Sequence, residues 1–181
     1  MPIKDIGTLE EEFHERVSTP SDINEHLFTL LNLAIKCDHI TEFGVRSGNS
    51  TVALAMGMPN RLISYDINPM PANLEALIKG VIPFQFIQAN TLEITIEPTE
   101  LLFIDTLHTY DQLSEELLLH ADMVSKYIVL HDTATFGAVG EDGKAPGLTQ
   151  AMMYFLDHQA VWKILKCDTN NNGLTILERE K

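Results

Sequence analysis

The sequence predicts an α/β fold, a doubly wound and mostly parallel sheet closed at its C-terminal end by an antiparallel hairpin. Three observations carry this. From residue 39 onward, short β-branched or aromatic runs bounded by turn residues alternate with stretches of helical spacing. Those runs are apolar almost throughout, as strands covered on both faces are. The chain then ends on two strand-like runs, 161–166 and 174–178, flanking the turn-rich segment Asp168-Thr169-Asn170-Asn171-Asn172-Gly173.

Taken in order, residues 10–17 read as a short polar amphipathic helix, and Thr19-Pro20-Ser21 interrupts the chain. Asp22-x-x-Glu25 has the form of a capping box, with Ile23, Leu27, Leu30, Leu31 and Ala34 following at helical spacing. Strands are expected at 39–43, 61–66, 83–87, 101–105 and 127–130. Helices are expected at 48–57, 71–79, 110–124 and from Gln150 through Leu156. No internal repeat or low-complexity tract is visible. The expectation is one domain over 1–181, with N-terminal helices in 1–37 and the sheet and its helices in 38–181.

Twenty-six acidic against 12 basic residues give a net charge of −14, which argues against nucleic acid and anionic membranes as partners. Cys37 and Cys167 make neither a disulfide framework nor a metal-ligand spacing, so reduced thiols and a cytoplasmic location are expected. The first residues lack an apolar signal-peptide core, and no run approaches the ~18 apolar residues of a membrane span.

The most informative stretch is Glu42-Phe43-Gly44-Val45-Arg46-Ser47-Gly48-Asn49-Ser50: a strand ending in an acid, two glycines four apart, and a helix start. Such a turn lets a ligand approach the backbone and offers free N–H groups. The dinucleotide fingerprint G-x-G-x-x-G fails here, because Arg46 and Asn49 stand where its second and third glycines belong. An acid at Glu42 disfavours an anionic ligand and suits a cationic one. A plain strand–turn–helix with no ligand is the alternative.

Glu42-x-Gly44-x-x-x-Gly48-x-Ser50 resembles the first motif of class I S-adenosylmethionine-dependent methyltransferases, in the form found in catechol-type and other metal-dependent O-methyltransferases. The resemblance spans about residues 39 to 178. It implies a Rossmann-like seven-stranded sheet in the order 3-2-1-4-5-7-6. It also implies that the turn, with Glu42, Gly44, Ser47, Gly48 and Ser50, cradles the methionine part of S-adenosyl-L-methionine.

In an open parallel sheet, ligands bind beyond the carboxyl ends of the strands, so the residues there carry the functional argument. Asp66 ends the second strand, followed by Ile67; the resemblance assigns the acid to the ribose hydroxyls, and capping of the next turn is the alternative. Asn90 stands where family members commonly carry an aspartate that accepts from the adenine amino group. Its amide oxygen can still accept, and a capping role competes.

Asp105 ends the fourth strand with His108 three residues on, and His131-Asp132-Thr133 ends the fifth. Two carboxylates at adjacent strand tips suit a hard divalent cation such as Mg²⁺, and an imidazole from His131 would shift preference toward Mn²⁺. Asp105-x-x-His108 with His131-Asp132-Thr133 resembles the metal-dependent O-methyltransferases of sugars and macrolides and the cephalosporin-hydroxylase-like group. That resemblance makes Asp105 and Asp132 metal ligands and His108 the candidate base. Asp105 also borders the cofactor. The third protein ligand is left as His131 or water alone, since Thr133 replaces the asparagine of catechol-type members. His14, His26, His39, His120 and His158, on predicted helices or at the entry of a strand and so away from the carboxyl edge, read as structural.

Residues 133–147 hold four glycines and leave directly from this site, which makes them either a lid or a plain connection. No insertion forms a substrate domain, so recognition of a small-molecule acceptor falls to that loop, the N-terminal helices or a neighbouring subunit of a homo-oligomer. The expected function is metal-assisted O-methylation of a small hydroxylated acceptor, sugar-like or natural-product-like. A metal-independent methyltransferase and a non-catalytic S-adenosylmethionine-binding module are the alternatives. Asp168-x-Asn170-x-Asn172-Gly173 imitates the start of a calcium loop, but Arg179 stands where the bidentate glutamate belongs. A hairpin turn is the reading.

Overall fold

Strand pairing follows from which residues can be buried on both faces. In the computed structural model, which describes residues 6–180, seven strands form one sheet: β1 (His39–Phe43), β2 (Arg61–Asp66), β3 (Phe84–Gln88), β4 (Thr99–Ile104), β5 (Val124–His131), β6 (Trp162–Asp168) and β7 (Leu174–Arg179). Their order is β3-β2-β1-β4-β5-β7-β6. The first five run parallel, and β7 pairs antiparallel with both β5 and β6. This is the order the resemblance implied.

The helices are α1 (Ile6–Ser18), α2 (Leu27–Ala34), α3 (Asn49–Met56), α4 (Ala72–Ile78), α5 (Tyr110–His120) and α6 (Leu148–His158). Alternate residues along each central strand serve opposite layers. Ile40, Leu62, Leu101, Phe103, Val129 and Ile176 pack with the apolar faces of α1 to α4. Phe43, Ile63, Leu102, Ile104, Ile128 and Leu130 pack with α5 and α6. Burial on both sides is what the continuous apolar runs require.

Several element boundaries differ from expectation, among them that of β4, which ends at Ile104 and leaves Asp105 just past its tip. Asp22 does not cap α2: a short 3-10 turn, Asn24–His26, precedes that helix and has no side-chain cap. Asn24 takes the local turn bond instead, its Oδ1 accepting from Ser21 N at 3.0 Å. β5 extends to Val124–His131, carrying His131 into the strand, and α5 ends at His120, where a 3-10 turn takes over. The segment Asp168–Gly173 forms the hairpin turn, not a calcium loop, with Asn171, Asn172 and Gly173 all at positive φ. Among the described residues no helix is long and apolar enough to cross a membrane.

Candidate active site at the carboxyl edge of the sheet

The β1–α3 turn is pressed against the tip of β4. Gly44 donates to Tyr65 O, and Asp105 N donates to Phe43 O, each at 2.9 Å. Gly44 stands at φ +85, and a Cβ there would lie 1.9 Å from the Asp105 carbonyl oxygen. Gly48, at φ +82, opens α3 without a side-chain cap, which leaves the first N–H groups of that helix to the turn. Ser47 is exposed, and its carbonyl accepts from Arg16 of α1 at 3.0 Å.

Glu42 lies beneath this turn and is 0% exposed. Ser50 and Ser64 donate to its two carboxylate oxygens at 2.6 and 2.5 Å. Burial pushes its carboxyl up to about 7, against the hydroxyl donors that favour the charged form. Any influence of Glu42 on a ligand above the turn therefore runs through Ser50 and the backbone. Asp66 closes the turn from the other side, accepting from Val45 N at 2.8 Å and Arg46 N at 3.1 Å on one oxygen and from Asn68 N on the other. Ile67 beside it is 66% exposed and offers an apolar surface at the strand tip. Asn90 spends its amide oxygen on Leu92 N at 3.1 Å, as a cap of the turn Thr91–Glu93. That capping role accounts for the asparagine without a ligand.

The strand tips of β4 and β5 converge. Ligand-capable atoms of Asp105, His131 and Asp132 all lie within 4.8 Å of one another. His131 Nδ1 stands 3.1 Å from both Asp105 Oδ1 and Asp132 Oδ2. His108 Nε2 approaches the same two oxygens at 3.1 and 3.0 Å. Burial alone would raise the carboxyls, yet the two imidazoles hold Asp105 and Asp132 below the ordinary carboxylate range. Burial alone would lower the imidazoles, and the carboxylates push both well above the usual value.

Asp132 is 4% exposed and stands at φ +60, where a side chain other than glycine is held only by its surroundings. Its Oδ1 is buried with no hydrogen-bond partner. An anionic oxygen left so is unfavourable unless something positive reaches it. Two carboxylates and an imidazole, with one oxygen unspent, are a donor set that fits a divalent cation. Thr133 is not part of that set, because its hydroxyl pairs with Thr175 Oγ1 at 3.0 Å.

Residues 133–147 fold over His108. Phe136 stacks on its ring at 5.0 Å and 8°, Glu141 N donates to His108 O at 2.8 Å, and Glu141 Oε2 lies 3.0 Å from His108 Nδ1. Below, Thr106 is tied to buried Glu116 at 2.9 Å, and Glu116 also accepts from Thr91 and Gln112. Burial raises the Glu116 carboxyl despite these donors.

Two partners of the site were not legible in the residue pattern. Glu141 sits in an unpatterned loop, and Asp22 contributes its carbonyl oxygen, 3.1 Å from His131 Nε2, which no side-chain motif marks. His26 is a correction: it is not remote from the carboxyl edge, since its ring packs edge-on at 6.1 Å from that of His131.

No protein-family model matches the chain, and no curated protein matches it. Solved structures do. The N-methyltransferase NodS from Bradyrhizobium japonicum WM9, in complex with S-adenosyl-L-homocysteine, aligns over 96% of this chain and 100% of its own, at 13% identity and a TM-score of 0.68. An O-methyltransferase from Bacillus cereus, also in complex with S-adenosylhomocysteine, aligns over 99% and 94% at 16% identity and 0.65. The O-methyltransferase TomG from Streptomyces achromogenes, in complex with S-adenosylmethionine, aligns over 100% and 93% at 17% identity and 0.61. The chain therefore has the Rossmann-like fold of the S-adenosylmethionine-dependent methyltransferases. At these identities the likeness is one of fold, and the activity has to be argued from the site.

Proposed function

We propose that the chain is an S-adenosylmethionine-dependent methyltransferase that O-methylates a small hydroxylated acceptor with the help of a divalent metal. The observation that carries this is the convergence of Asp105, His131 and Asp132 within 4.8 Å, next to the Gly44–Gly48 turn. Asp105 joins the two halves of the site, its backbone against the turn and its carboxylate in the cluster. The N-terminal end of α3 and the exposed Ile67 support the cofactor reading, the first for the methionine part and the second for the base.

Asp105, Asp132 and His131 would hold the metal, which as a Lewis acid lowers the cost of forming an alkoxide from the acceptor hydroxyl. The chain's own residues do the rest. Glu141 engages His108 at Nδ1, which leaves Nε2 to take up a proton. That nitrogen faces the two carboxylates, which favour its protonated form, so the ring would act as a base only with their charge taken up by the bound cation. Phe136 covers one face of the ring and keeps it from turning. The loop 133–147 is the lid in this reading, and Mg²⁺ or Mn²⁺ the cation. Methyl transfer from labelled S-adenosylmethionine to a panel of small polyols and phenols is expected to stop with chelator and to return with Mg²⁺ or Mn²⁺.

A second reading has its own support. His108 and His131 balance the charge of Asp105 and Asp132 by themselves. A metal-independent methyltransferase would use that balanced cluster only to orient the acceptor, and transfer that persists unchanged in chelator would establish it over the first.

A further inference from the structure

The segment that imitates a calcium loop performs a different task. Its carbonyl and amide groups grip the N-terminal part of the chain. Asn171 Nδ2 donates to Ser21 O at 2.6 Å, and Glu25 N donates to Asn171 Oδ1 at 3.0 Å. Asn170 donates from its side chain to the Glu25 carboxylate, and its backbone carbonyl lies 3.0 Å from His26 Nε2. On its other side the same turn holds the residues just after Asp132: Ala134 N and Thr135 N both donate to Asn172 O, at 2.9 and 3.0 Å. Three consecutive residues with positive φ, Asn171, Asn172 and Gly173, are more than a hairpin needs to reverse direction. They aim these groups both ways.

Between the two gripped segments sits His131. Its ring is wholly enclosed, with the Asp22 carbonyl 3.1 Å from Nε2 and the two carboxylates 3.1 Å from Nδ1. A carbonyl oxygen only accepts, so Nε2 carries a proton, while Nδ1 faces the two carboxylates, and a cation held among the three would replace the proton that Nδ1 otherwise donates to them. The carbonyl stays in place because Ser21 and Glu25 on either side of it are tied to Asn171 and Asn170. The Asp22 carboxylate is in addition paired with Arg46 of the cofactor turn.

We propose that residues 21–26 and the β6–β7 turn form a clamp that presents His131 to a metal through Nδ1, with Asn171 and Asp22 as positioning residues. This rests on the metal-dependent reading above, and it assigns a role to residues outside the ligand set. Outer partners that orient a ligating imidazole typically alter metal affinity by about 10- to 100-fold when lost.

The test is calorimetric titration of Mn²⁺ into the full chain and into Asn171→Gly, a substitution that removes both side-chain bonds of Asn171 while keeping the positive φ easily accessible. The variant is expected to bind Mn²⁺ about 10- to 100-fold more weakly and S-adenosylhomocysteine within twofold of the parent. A parent that binds Mn²⁺ with a variant that binds it equally well overturns the clamp alone. A parent that binds no Mn²⁺ overturns the metal reading, and the clamp with it. Should the variant not fold, the parent decides: long-range nitrogen–proton NMR on the Mg²⁺-loaded protein is expected to show His131 protonated at Nε2 only. A proton on Nδ1 instead would sink the proposal.

Discussion

Glu42 is the residue whose chemistry is furthest from what its position in the motif suggests. An acid at the end of β1 reads as a charge offered to a ligand, yet it is enclosed and bound by Ser50 and Ser64. Its carboxyl is raised by burial from 4.5 to about 7. The sign follows from proton counting. Between those two values the folded chain keeps a proton that the unfolded chain has released, so stability falls as pH rises through this window. The loss is complete above about 7 and amounts to about 3 kcal/mol, the free energy separating the two pKa values. Glu42→Gln carries no such proton. Urea unfolding of both proteins at pH 5 and pH 8.5 is expected to show the variant gaining up to about 3 kcal/mol on the parent over that range. A parallel pH dependence in the two would show that Glu42 stays charged in the fold.

At the scale of elements, the β1–α3 turn couples cofactor site and metal site through one backbone contact. Gly44→Ala would set a Cβ against the Asp105 carbonyl, which is backbone and cannot rotate away, and would do so at φ +85. The left-handed conformation alone costs about 1–2 kcal/mol, and the overlap requires the tip of β4 to shift as well. A loss of at least about 3 kcal/mol is expected, seen as a melting temperature roughly 6–12 °C lower for a chain of this size. S-adenosylhomocysteine affinity is expected to fall with it. A variant as stable as the parent would mean that the turn is not pressed on β4.

The same scale shows what could be read from residue order. The strands were legible because Ile40, Leu62, Phe103 and Val129 belong to runs that only two-sided burial explains. Asp105 and Asp132 were legible because strand ends in a parallel sheet share one edge. Asp22 was misread, since a D-x-x-E spacing is compatible with a cap but the helix begins five residues later, at Leu27. What escaped entirely were contacts made by backbone atoms and by loops. The Asp22 carbonyl on His131 and Glu141 on His108 join segments 109 and 33 residues apart, with no periodicity to announce them.

For the whole molecule, the acidic surplus and the carboxylate pair make different claims about cations. A net charge of −14 attracts any cation weakly, and that attraction is screened by salt. The Asp105–His131–Asp132 cluster is a local site, and an ion bound there stabilises only the folded chain. At free Mn²⁺ about 100 times its dissociation constant, the gain is ≈ 2.7 kcal/mol, or a melting temperature raised by roughly 5–11 °C at this chain length. Asp132→Asn keeps the shape of the site but halves its carboxylate charge and weakens the acceptor facing His131. It is expected to lose most of that rise, with the weak response to matched KCl unchanged, because one charge in 14 hardly alters the general field. Thermal melts of both proteins across a Mn²⁺ series at constant ionic strength distinguish the two effects. Equal shifts in parent and variant would assign the stabilisation to the overall charge and remove the cluster as its cause.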